Sequence, residues 1–163
     1  MAIPYVTLIG EDGKPDFRVT DEAKRRSVIR NGWCQLCGQP LGKYFFFTGG
    51  RASAINNTYF EPATHLDCLI YAMQVCPFIV GRVEHADPAK IADAHTDMYI
   101  KSDSNFAAER NPWWVIKKAD GWQYTISPEQ TLLLVPHEIL ATIPLKPEDM
   151  NSGDWKKVAE ALM

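Results

Sequence analysis

Cys34-Gln35-Leu36-Cys37-Gly38 and His65-Leu66-Asp67-Cys68 are the two stretches on which the fold of this chain turns. In the first, a C-x-x-C-G turn, two thiolates from one tight loop can point at a common ion, and the glycine relieves the backbone of a side chain. In the second, a three-residue offset at the start of a helix separates imidazole and thiol by only about 4.5 Å along the axis and keeps them on one face. Each stretch is half of a tetrahedral site. Three cysteines and one histidine form a standard structural zinc set, so Cys34, Cys37, His65 and Cys68 are expected to hold one structural Zn²⁺. Four protein ligands close the coordination sphere, whereas a catalytic zinc keeps a position open for water. Cys76 lies roughly 12 Å beyond Cys68 along a continuous helix, too far to share the ion, and is expected to be a buried free thiol. A redox use of C-x-x-C would need a thioredoxin-like strand, motif and helix, and that context is missing.

Working outward, Ile3-Pro4-Tyr5-Val6-Thr7-Leu8-Ile9, the turn Gly10-Glu11-Asp12-Gly13 and Phe17-Arg18-Val19 suggest an opening strand or hairpin. A helix is expected from an Asp21 N-cap to Arg30, stopped by Asn31-Gly32. Lys43-Tyr44-Phe45-Phe46-Phe47-Thr48, then Gly49-Gly50 and a second run to Phe60, suggest a β-hairpin. Alternation along Tyr44-Phe45-Phe46-Phe47 gives the strand two apolar faces, which implies burial between layers rather than a base-stacking surface. Pro62-Ala63-Thr64 opens a second helix, ending near Val75 before Pro77. Loop pair, hairpin and then a helix carrying the second pair is the element order of a treble-clef zinc module.

Residues 84–111 are expected to be loop or short irregular helix, with one β-like patch at Met98-Tyr99-Ile100. Trp113 to Lys118, a turn at Ala119-Asp120-Gly121, and Trp122-Gln123-Tyr124-Thr125-Ile126 signal a hairpin, and residues 132–135 and 138–143 could add strands. A last helix, capped by Ser152 or Asp154, carries Trp155, Val158, Ala159 and Leu162 at helical spacing. The expectation is an α+β fold in one domain, residues 1–163. Its zinc-binding treble-clef-like core spans residues 21–80, and hairpins with a C-terminal helix span 113–163.

Composition agrees with a globular chain: 163 residues, 46% hydrophobic and 23% charged, enough to bury roughly 70% of the unfolded surface without disulfides. Seventeen Lys and Arg against twenty Asp and Glu give a formal charge of −3, too mild to name a nucleic-acid or membrane partner. No apolar run reaches the roughly 18 residues needed to span a bilayer, and residues 1–10 lack a signal-peptide pattern. The expected compartment is the cytoplasm. The Asn56-Asn57-Thr58 sequon is then a chance match.

Asp16-Phe17-Arg18-Val19, Cys34-Gln35-Leu36-Cys37-Gly38-Gln39-Pro40-Leu41-Gly42, Ala54-Ile55-Asn56, Glu61-Pro62, His65-Leu66-Asp67-Cys68, Tyr71-Ala72 and Val75-Cys76-Pro77-Phe78 together resemble a family of small uncharacterised bacterial and phage proteins. The likeness is best over residues 16–80. It implies a zinc-bearing, cytoplasmic or phage-encoded protein.

Catalytic motifs are absent from the sequence. His137-Glu138 would need histidine at Ala141 to make H-E-x-x-H. A zinc deaminase needs H-x-E ahead of its cysteine pair. No P-loop, G-x-G-x-x-G or G-x-S-x-G is present. Lys24-Arg25-Arg26 with Arg30, near Arg51 and Arg82, could contact phosphates, but a solvated helix face accounts for it more simply. A Trp among Trp113, Trp114 and Trp122 left over from the core could mark a protein-binding patch. The sequence therefore points to a zinc-stabilised, non-enzymatic binding or adaptor protein for a protein or nucleic acid. The alternative is a metal-dependent nuclease or nucleic-acid-processing enzyme on a treble-clef scaffold, using His85, His95 or His137.

Overall fold

The computed structural model describes residues 2–76, 114–146, 149 and 154–163, and its fold is α+β. The chain opens with an antiparallel hairpin of β1 (Thr7–Ile9) and β2 (Pro15–Thr20), closed by the expected Gly10 to Gly13 turn, in which Gly13 takes φ 76°. Helix α1 (Glu22–Asn31) follows. The Asp21 side chain accepts from the Lys24 N–H at 3.1 Å, and Gly32 ends the helix at φ 65° with its N–H on the Val28 carbonyl. Both ends satisfy backbone groups that a helix terminus leaves without partners.

Strand β3 (Phe45–Gly49) forms where the aromatic run predicts it, but the Gly49-Gly50 hairpin does not. Gly50 is instead the N-cap of a short helix, α2 (Arg51–Asn56), ended by Asn57 at φ 50°. The chain then returns along β3 only through a Phe46 to Thr64 bridge, with Thr64 N–H to Phe46 O at 3.0 Å and Phe46 N–H to Thr64 O at 3.3 Å. That bridge holds residues 62–64 out of helical geometry, so α3 (Leu66–Val75) starts at Leu66 with His65 as its N-cap.

The main ladder is a hairpin that β3 joins from far along the chain. β4 (Trp114–Ile126) pairs antiparallel with β3 on one side and with β5 (Leu132–Leu145) on the other, giving the order β3-β4-β5. Ala119-Asp120-Gly121 is no turn: β4 runs straight through it, and the pairing slips by one residue between Lys118 and Ala119. The actual turn lies at residues 127–131, where Ser127 N–H reaches Thr131 O at 2.8 Å. Gly121 is needed for a different reason. A Cβ there would fall 2.3 Å from Cε1 of His137, its cross-strand neighbour.

Alternation along β3 divides the core as expected. Phe46 packs with Leu69, Met73, Ile116, Leu145, Trp155 and Leu162, with Tyr44 alongside, while Phe47 packs with Tyr59, Val115 and Leu134, with Phe45 and Trp122 alongside. Helix α4 (Trp155–Leu162), N-capped at Asp154, closes the first cluster with Trp155 and Leu162. Cys76 is half-buried against that cluster and Trp114 packs there too. Residues 84–111, Trp113 and Ser152 lie outside the described residues. No helix among the described residues is long and apolar enough to cross a membrane.

Candidate metal centre

The first half of the centre is a tight loop between Trp33 and Pro40, which pair as an antiparallel bridge. Cys34 N–H donates to Gln39 O and Gly38 N–H to Cys34 O, both at 2.8 Å. Gly38 has φ 71°, and the Tyr5 ring lies 2.7 Å from where its Cβ would stand, so glycine is required twice over. The second half is the start of α3, where His65 at the N-cap and Cys68 three residues on face the same way. The structure brings all four expected residues together: one ligand atom from each of Cys34, Cys37, His65 and Cys68 lies within 4.8 Å of all the others. That is close enough to hold a metal ion. All four cysteines of the chain are free, and Cys76 stands outside the group.

The histidine is oriented on both sides. Its Nδ1 faces the thiols, 3.3 Å from Cys37 Sγ and 3.9 Å from Cys68 Sγ, while Nε2 lies 2.9 Å from the Pro40 carbonyl. A carbonyl only accepts, so Nε2 carries a proton, and when the ring is neutral Nδ1 turns its lone pair toward the sulfurs. Such an outer hydrogen bond fixes the tautomer that a metal-ligating imidazole needs. Soft thiolates with one neutral imidazole fit a tetrahedral zinc-type ion far better than a hard, oxygen-seeking one.

Electrostatics inside the cluster are strained by crowding. Burial pushes the Cys68 thiol up to about 12, and the neighbouring Cys34 and Cys37 charges push the same way. Burial also opposes ionisation of Cys37, but the Gln39 backbone and hydrogen bonds with Cys34, Cys68 and His65 outweigh it, so its pKa falls below the ordinary thiol value. One thiolate is favoured and a second is resisted. A cation at the centre removes that resistance, because its charge offsets the mutual repulsion.

Two contributors escaped the sequence reading. Gln35, between the cysteines, is buried, with Nε2 on Pro62 O at 2.7 Å and its N–H on Ala63 O at 3.2 Å, so it stitches the loop to the segment entering His65. Arg25 was expected on a basic surface stripe and is instead fully buried. Its Nε and Nη2 donate to Phe60 O at 3.0 and 2.8 Å, Nη2 also donates to Leu132 O, and its guanidinium stacks 3.9 Å from the Phe60 ring centre. The spacing Arg25, Val28, Ile29 held the signal, since it places Arg25 on the inner face of α1. Lys24 is also occupied, on Thr7 O at 3.2 Å, and Arg26 pairs with Glu22 at 3.0 Å. No continuous basic face remains on α1. His137 belongs to no group of three or more metal-ligating side chains among the described residues, and His85, His95 and Arg82 lie outside them.

Fold and site together define an α+β protein with a Cys₃His cluster able to hold a metal ion. Comparison of the chain with protein-family models, with curated proteins and with solved structures finds no match in any of the three.

Proposed function

We propose that Cys34, Cys37, His65 and Cys68 hold one structural Zn²⁺, and that the chain is a non-enzymatic binding or adaptor protein whose contact surfaces that ion keeps in place. The observation that carries this reading is the donor set: four protein ligand atoms converge and Pro40 O orients the imidazole, and four ligands are enough to complete a tetrahedral site. Loop pair, strand β3 and then a helix bearing the second pair also favour a treble-clef-like module, with α2 inserted where a tight hairpin would stand. Kinship with small bacterial and phage zinc proteins and a cytoplasmic setting, where thiols stay reduced, belong to the same proposal. The partner is a protein or a nucleic acid, and salt separates the two, because phosphate contacts weaken steeply as salt rises.

Native mass spectrometry of protein purified without chelator tests the metal. One zinc per chain is expected, lost in Cys37→Ser and Cys68→Ser. Metal-free protein of unchanged stability would overturn the reading, and turnover of nucleic acid that depends on His137 would replace it.

A further inference from the structure

Beyond the end of β3 the β4–β5 hairpin has two outer edges, and they are finished differently. Leu134 exchanges both its backbone hydrogen bonds with Tyr59, each at 2.8 Å, so its N–H and C=O point away from β4. Alternation gives Leu132 and Pro136 the same orientation. Their carbonyls receive the Arg25 guanidinium and, at 3.0 Å, Asn57 Nδ2. Pro136 has no N–H to leave unpaired. The edge of β5 is therefore closed at three successive outward residues.

Across the ladder, Leu132, Leu134 and Pro136 stand opposite Ile126, Tyr124 and Trp122. In an antiparallel pair, residues directly opposite both point inward or both point outward. Trp122, Tyr124 and Ile126 therefore aim their N–H and C=O groups away from β5, toward the side where β3 lies. β3 ends too early to meet them, its first residue Phe45 pairing with Ala119. Among the described residues, none bonds to these backbone groups. Tyr124 and Ile126 are 68% and 59% exposed. The segment Trp122-Gln123-Tyr124-Thr125-Ile126 also lacks the lysine, proline or inward charge by which proteins blunt an edge.

We propose that this open edge of β4 pairs antiparallel with the same edge of a second copy of the chain, about a two-fold axis at Tyr124. In that register Trp122 stands opposite Ile126 of the partner subunit, and the uncharged strands set no like charges against each other. The occupant is a second copy because a neutral strand with alternate outward groups is complementary to itself, and a two-fold pairing about Tyr124 uses the same segment on both chains. Association through this segment therefore stops at two copies, because a two-fold contact occupies it on both sides.

Sedimentation velocity on the full-length protein over a concentration series tests this, with Tyr124→Lys and Tyr124→Pro as comparisons. The lysine variant keeps the backbone donor and opposes two charges at the axis. The proline variant removes an N–H that the β4–β5 ladder does not use. A monomer–dimer equilibrium is expected in the parent protein and is expected to weaken at least about tenfold, or 1.4 kcal/mol, in both variants. Melting temperature and metal content serve as the check that each variant folds. A parent chain that stays monomeric to about 1 mM, or a dimer indifferent to both folded variants, overturns the proposal.

Discussion

The metal loop and the β4–β5 hairpin sit in one fold and are held by opposite means. Around Cys34, Cys37, His65 and Cys68 the chain is irregular, bonded by short turns, and its organising groups are four side chains that converge. Along the hairpin the organising groups are backbone pairs and apolar side chains on two faces, with Ile116 and Leu145 on one and Val115 and Leu134 on the other. On the proposed reading the first region depends on an ion and on pH. The second depends on burial, which neither changes. Arg25 joins them, since one guanidinium binds Phe60 on the metal-loop side and Leu132 on the hairpin.

The sharpest way to break that contrast is to remove the metal. A site of this type supplies on the order of 10 kcal/mol of folding free energy, so chelation should abolish hydrogen-exchange protection at residues 33–40 and 65–68. Protection at residues 115–119 and 141–145 should fall less. Uniform loss across both regions would mean that they are one cooperative unit. Cutting the link comes next. Arg25→Ala strands the Phe60 and Leu132 carbonyls and opens a cavity, and should cost about 3–5 kcal/mol by denaturant unfolding. Arg25→Lys should recover only part of this, because a compact ammonium lacks the planar fork whose Nε and Nη2 reach the Phe60 and Leu132 carbonyls.

A pH series separates the regions more gently. Cys68, pushed up to about 12, holds its proton at neutral pH until an ion displaces it. Each proton released on binding makes affinity rise about tenfold per pH unit and fall by the same factor as pH drops. Competition with a chromophoric chelator at pH 6, 7 and 8 should show this slope, and a flat profile would mean that the thiols are already ionised. The smallest effect belongs to Tyr59. Its hydroxyl is buried without a hydrogen-bond partner among the described residues, so Tyr59→Phe should be neutral or stabilise by up to about 1 kcal/mol in thermal melts. A loss of more than that would show that the hydroxyl has a partner.

The same division explains what the sequence revealed. Ligand spacing, the Asp21 and Gly32 caps and the alternation through residues 44–47 are local signals, and each matches the structure. The errors have distant causes. Gly49-Gly50 resembles a hairpin turn, but β3 finds its partner in β4, where Phe45 meets Ala119, far along the chain. Ala119-Asp120-Gly121 resembles a turn because its glycine is needed for the His137 ring, which no local pattern announces. Arg25 reads as surface charge until Phe60 and Leu132 arrive to receive it.

The position of His65 at the first corner of α3 has one more consequence. Helix α3 begins with no side-chain cap on its free N–H groups, and the thiol cluster lies at that end. A dication bound by three thiolates and a neutral imidazole is a net anion, and the N-terminus of a helix carries a partial positive charge. The macrodipole of α3 would therefore favour a loaded, anionic centre over an empty, protonated one, and the helix that presents two of the candidate ligands would also help to retain an ion bound there.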